Sequence, residues 1–173
     1  MMQNEVLPSS ISLYLGLLEK IDAFEKALLE KYGEHISCRK GCSECCVLES
    51  VFPIEAFMMR RAVTDLAPEE RTAVRENSEN RREQCVFLEG GNCMIYGSRP
   101  VICRTHGYPI EMDGEVDFCL KNFKGLAGID GDSILDLELL NTMIAAINLR
   151  FVNETDDDFF RRDRVPLAEI LSD

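Results

Sequence analysis

The stretch "ISCRKGCSECCVLESVF", residues 36–52, carries four cysteines within nine positions: Cys38, Cys42, Cys45 and Cys46. Thiols at this density must be buried, bridged or bound, and each choice constrains the fold. Buried free cysteine behaves as a small hydrophobe, but this run is interleaved with Arg39, Lys40 and Glu44, which an apolar core excludes. Disulfides suit it poorly, because neighbouring cysteines make a strained bridge. The N-terminal stretch also lacks the basic region of a secretory signal, so a reducing, cytoplasmic location is expected. Metal binding is the remaining reading, since thiolates are soft ligands suited to zinc, copper(I) and iron–sulfur clusters.

Local geometry leaves three arrangements open. A helix would put positions 38, 42, 45 and 46 on one stripe. A knuckle would use the C-x2-C spacing of Cys42 and Cys45, which lets two sulfurs grip one ion. An extended chain would point Cys45 and Cys46 to opposite faces, toward different sites.

The other four cysteines, Cys85, Cys93, Cys103 and Cys119, lie in the one region short of apolar periodicity. There a bound metal would have to replace a core. Arg39, Lys40, Arg99, Arg104, Lys121 and Lys124 cluster beside the sulfurs. One zinc ion with four thiolates keeps a net charge near −2, so adjacent cations help to offset it. Arg104, directly after Cys103, is the foremost candidate. With Arg99 and Tyr96 it makes the set expected near a bound cofactor, Tyr96 and Arg99 orienting the loop that Pro100 stiffens. His35 and His106 each sit within three residues of a cysteine, but the cysteines already suffice as ligands.

The C-x3-C-x2-C-C run, followed by "CVFLEGGNCMIYGSRPVICR" and Cys119, resembles the CxxCxxCC (YkgJ-like) family of zinc- or iron-chelating cysteine-cluster proteins. The likeness covers residues 36–125 and implies that all eight cysteines belong to a metal-binding pattern. It implies zinc or an iron–sulfur cluster, and gives no defined reaction. Zinc is favoured by the C-x2-C pair. An iron–sulfur cluster, 4Fe–4S foremost, is favoured by a compact run with one distant ligand, and is preferred here. Cys46 would then supply a fourth sulfur or reach a second centre. The expected role is electron transfer or redox sensing. The alternative is a structural zinc module that offers a protein partner its acidic surface.

Around this centre the chain reads as mainly α with small irregular β-hairpins, its helices packed around the cysteine-rich metal site. Residues 1–173 form one domain, with a core at 36–125 and supporting helices at 9–32 and 133–153. The first helix, capped by Ser9 or Ser10, carries Ile11, Tyr14, Leu15, Leu18, Ile21, Leu28 and Tyr32 at steps of three or four. A second starts at Pro53 with Ile54, Phe57, Met58, Ala62 and Leu66 on one face, and a third at Pro68 lies on the surface. Gly90-Gly91 and Asp113-Gly114 mark two hairpins. The last helix opens near Asp132-Ser133, with Leu137, Leu140, Ile144, Ile147 and Phe151 in register; residues 154–164 read as a charged connection. A net charge of −12 makes nucleic acid or an anionic membrane an unsuitable partner.

Overall fold

A computed structural model describes residues 8–39, 41–47, 49–81 and 83–171. Five α-helices carry it: α1 (Ser9–Tyr32), α2 (Pro53–Thr64), α3 (Pro68–Asn80), α4 (Val101–Thr105) and α5 (Leu137–Glu154). Seven short strands join them in small pieces. β1 (Ser50–Val51) pairs antiparallel with β7 (Val165–Pro166), and β2 (Leu88–Glu89) with β3 (Asn92–Cys93). β4 (Ile110–Met112) lies between β5 (Glu115–Asp117) and β6 (Leu135–Asp136), antiparallel to the first and parallel to the second. Both expected hairpins are present, turning at Gly90-Gly91 and Asp113-Gly114.

α1 and α5 run antiparallel. At one end the Glu154 carboxylate accepts from Ser9 Oγ at 2.6 Å and from Ser10 N at 2.9 Å. At the other, Lys31 bridges to Asp130 at 2.6 Å and Asp132 at 3.0 Å. The serines therefore do not cap α1 themselves: Pro8 occupies the N-cap position, and a carboxylate from the far end of the chain meets the Ser10 N–H. That placement also suits the positive end of the helix dipole. α5 starts later than expected. Asp132 and Ser133 fall in a separate 3-10 turn, and Asp136 caps the helix by accepting from Leu139 N at 2.8 Å.

The main core is formed by Tyr14, Leu17 and Ile21 of α1, Ala56, Met59 and Val63 of α2, and Leu140, Ile144 and Phe151 of α5. On α2 this face is rotated from the expected one: Phe57, Met58 and Ala62 are only half-buried. On α1, Leu17 is buried and Leu15 exposed. The stretch 155–171 explains the rotation on α2, because its Phe160 inserts between helices. Its ring meets Phe57 at 5.6 Å and Phe151 at 5.9 Å, so both faces of α2 find apolar neighbours. Asn148, buried on α5, accepts from Ile54 N at 3.1 Å and so satisfies an orphan donor at the start of α2.

A second, smaller apolar cluster gathers Leu28, Tyr32, Ile36, Tyr108 and Phe123 at the other end of α1. The helices thus pack on apolar side chains, with Cys85 and Cys93 at the edge of the main core, and the described residues do not show the expected metal centre between the helices. Among the described residues, no three His, Cys, Asp or Glu side chains stand together to hold one ion.

Candidate metal centre

The run 38–46 takes none of its helical option. Tight turns carry it instead: Cys42 N donates to Arg39 O at 2.9 Å, Cys46 N to Ser43 O at 3.0 Å, and Gly41 adopts φ 98°. Of the three geometries, these successive turns come nearest to a knuckle. All eight thiols are free. Seven of them, all but Cys119, line one cavity of about 190 Å³, with Tyr96, Arg99 and the apolar side chains of Val51, Met59 and Phe87.

Four tethers hold this wall in place. Cys85 N donates to Cys46 O at 3.1 Å, so the first run and the start of the β2–β3 hairpin lie side by side. Arg81 donates to Cys85 O at 2.8 Å and to Leu88 O, pinning the same loop from α3. Glu55, buried in α2, accepts from Phe52 N at 2.9 Å and Val101 N at 2.8 Å, seating α4 and its Cys103 against α2. Burial pushes the Glu55 carboxyl above its ordinary range, against the pull of those two N–H groups.

The fourth tether is Asn122, with 1% of its surface exposed. Its Oδ1 accepts from Ser37 N at 2.8 Å and Cys38 N at 3.3 Å. Its Nδ2 donates to Gly107 O at 2.6 Å and to Cys38 Sγ at 3.3 Å. Asn122 N also bonds Cys119 O at 2.8 Å. One side chain thereby joins three distant segments and brings Cys119 to Cys38. Lys121, ion-paired with Glu44, ties the same segment to the turn before Cys45.

Of the expected cofactor-side residues, Arg104 is buried and committed elsewhere. It donates to Asp22 Oδ1 at 2.5 Å, Gly97 O at 2.6 Å and Arg99 O at 2.9 Å, fastening the 97–104 loop to α1. Arg99 stacks on Tyr96 at 3.7 Å and donates to Cys103 O at 3.4 Å. It makes no ion pair with a carboxylate among the described residues, and its charge lowers the thiols of Cys46, Cys93 and Cys103. His106 edges the cavity, whereas His35 is exposed and accepts from Phe123 N through its carbonyl. Lys40 lies outside the described residues.

Burial raises six of the thiols. Cys85 is pushed up to about 11 and Cys103 to about 12, the latter also by the nearby thiols of Cys85, Cys93 and Cys46. Cys103 does open to solvent on one side; crowding on its other sides dominates. A metal would have to displace a proton from each of these sulfurs to bind it.

This cysteine pattern over residues 37–120 matches the model of a known family, described as "Putative zinc- or iron-chelating domain". Residues 37–120 are a CxxCxxCC domain. Comparisons with curated proteins and with solved structures found no match. Metal binding by the CxxCxxCC domain agrees with what its geometry provides: soft donors around one cavity, adjacent positive charge, and loops fixed by hydrogen bonds and by core packing.

Asn122 and Glu55, which position the CxxCxxCC domain's loops, are missing from the residues expected from sequence. Asn122 has no local signature, and Glu55 shows only as an acid in the first turn of α2, which does not announce its bond to Val101 N 46 residues on. None of the described helices is long and apolar enough to cross a membrane.

Proposed function

We propose that the CxxCxxCC domain holds an iron–sulfur cluster, 4Fe–4S in type, through its cysteine thiolates, and that the protein moves electrons or senses redox state. The observation that carries the reading is the single cavity walled by seven cysteines. A zinc ion with four sulfurs at 2.3 Å draws them to about 3.8 Å from one another. Seven thiols around one cavity of about 190 Å³ are more donors than one such ion takes. A cluster with its own sulfide fills more space between its thiolates than a single ion. When bound, it would supply one-electron chemistry.

The protein's own residues suit that use. Arg99 places positive charge beside Cys46, Cys93 and Cys103, favouring their thiolates. Cys45 and Cys103 reach the surface, offering short routes to a redox partner or an oxidant. A net charge of −12 favours a protein partner with a basic face, and free thiols at this density suit a reducing cytoplasm.

The tight turns around Cys42 and Cys45 support the second reading, a structural zinc module that presents its acidic surface to a protein partner. Iron, zinc and acid-labile sulfide, measured with a visible spectrum on protein purified without oxygen, separate the two. Iron with matching sulfide and broad visible absorption supports the cluster. Colourless protein with zinc overturns it in favour of the module, and protein with neither metal overturns both.

A further inference from the structure

The eight thiols fall into two groups by what anchors them. Cys38 packs against the small apolar cluster of Leu28, Tyr32, Ile36, Tyr108 and Phe123. Asn122 and Gly107 join it to Cys119, whose N–H points to Gly107 O at 3.4 Å. The Lys121–Glu44 pair closes the same segment onto the turn that holds Cys42 and Cys45. Cys85 and Cys93, by contrast, pack against the main core. Cys46 adjoins them through the Cys85 N to Cys46 O bond, and Cys103 stands on α4, whose Val101 belongs to the same core.

We propose that the cysteines form two four-thiolate metal centres side by side, Cys38, Cys42, Cys45 and Cys119 on the small core and Cys46, Cys85, Cys93 and Cys103 on the main one. The inference rests on the metal-binding reading above and goes beyond it by dividing the ligands. The cations divide in the same way: Lys121 pairs with Glu44 at the turn that holds Cys42 and Cys45, and Arg99 donates to Cys103 O at 3.4 Å. The chain passes from one group to the other across the Cys45–Cys46 peptide, which accounts for a pair of adjacent cysteines. Binding removes one proton from each thiol to solvent and makes one metal–sulfur bond in its place.

The test uses the full chain, reduced and metal-free, loaded without oxygen in two arms: ferrous and ferric iron in equal parts with sulfide, and zinc alone. Native mass spectrometry counts the centres in the wild type, Cys119→Ser and Cys103→Ser. Iodoacetamide labelling then identifies the thiols left unprotected. Expected are two centres in the wild type and one in each variant, a halving of bound metal. Cys119→Ser should leave Cys38, Cys42 and Cys45 labelled and the other set protected, and Cys103→Ser the reverse. Stepwise removal of metal from the wild type by a chelator guards against a variant that fails to fold. The two sets should become reactive as two separate groups of four. One centre per chain, or mixed labelling of both sets, overturns the division while leaving metal binding intact. No uptake in either arm overturns the metal-binding reading itself, and the division with it.

Discussion

Gly107 and Cys38 share one small volume: a Cβ on Gly107 would stand 2.8 Å from the Cys38 Sγ and 3.3 Å from the Cys119 Cβ. The glycine also adopts φ 89°, in the left-handed region. Gly107→Ala therefore strains the backbone and displaces a thiol together. The backbone alone costs about 1–2 kcal/mol, a fall in Tm of about 2–8 °C for a chain of this size. Thermal unfolding of the metal-free protein should show that fall, and metal analysis should show weakened binding at Cys38.

Asn122 satisfies four groups at once, and its removal should be felt at each. Asn122→Ala leaves Ser37 N and Cys38 N without their acceptor in a part-buried setting, and takes from Gly107 O the nearer of its two donors. Each orphaned group costs about 1–3 kcal/mol. Urea unfolding should register a loss in that range or above. Labelling of Cys38 should also slow, since its thiolate loses the amide N–H that favours it.

Metal uptake should release protons. Burial raises Cys85 to about 11 and Cys103 to about 12, so both are protonated in the metal-free protein at neutral pH. A raised thiol stays protonated until the pH passes its folded value, so the metal competes with protons across the whole range below it. Affinity should therefore climb with pH through neutrality. Calorimetry in buffers of different ionisation enthalpy should count about one proton for each thiol bound.

The Glu154 clasp should set an acid limit. Arg150, Ser9 and the Ser10 N–H hold its carboxyl down at about 2. Because the folded value lies below the unfolded one, the clasp stabilises fully above about pH 4.5. That contribution fades as the pH falls through 2. The difference in Tm between wild type and Glu154→Gln should be largest near neutrality and vanish toward pH 2. A difference that does not change with pH would contradict this.

Sequence revealed the helices because their stripes are local: α1 ends at Tyr32 and α5 runs through Phe151 as their apolar spacing implies. It misread which face α2 buries, since Phe57 and Met58 are as apolar as Met59 and Val63. Only the tail at Phe160 decides between them. That tail looked like a charged connection, because four aspartates and three arginines surround its two phenylalanines. At the candidate centre the cysteines were legible from their spacing. Asn122 and Gly107 were not, because their role depends on a meeting with Cys38 that no neighbouring residue announces. Arg104 stood next to a cysteine in sequence, yet its guanidinium turns to Asp22 and to carbonyls of its own loop.

The Cys45–Cys46 peptide has a last consequence. Its two Cα atoms are held about 3.8 Å apart by covalent bonds, and on either side the chain leaves for a different apolar cluster. If each cysteine serves its own centre, that covalent link sets an upper limit on how far the two centres can part. Loosening either core would then let its own thiols drift, but only within reach of the shared peptide.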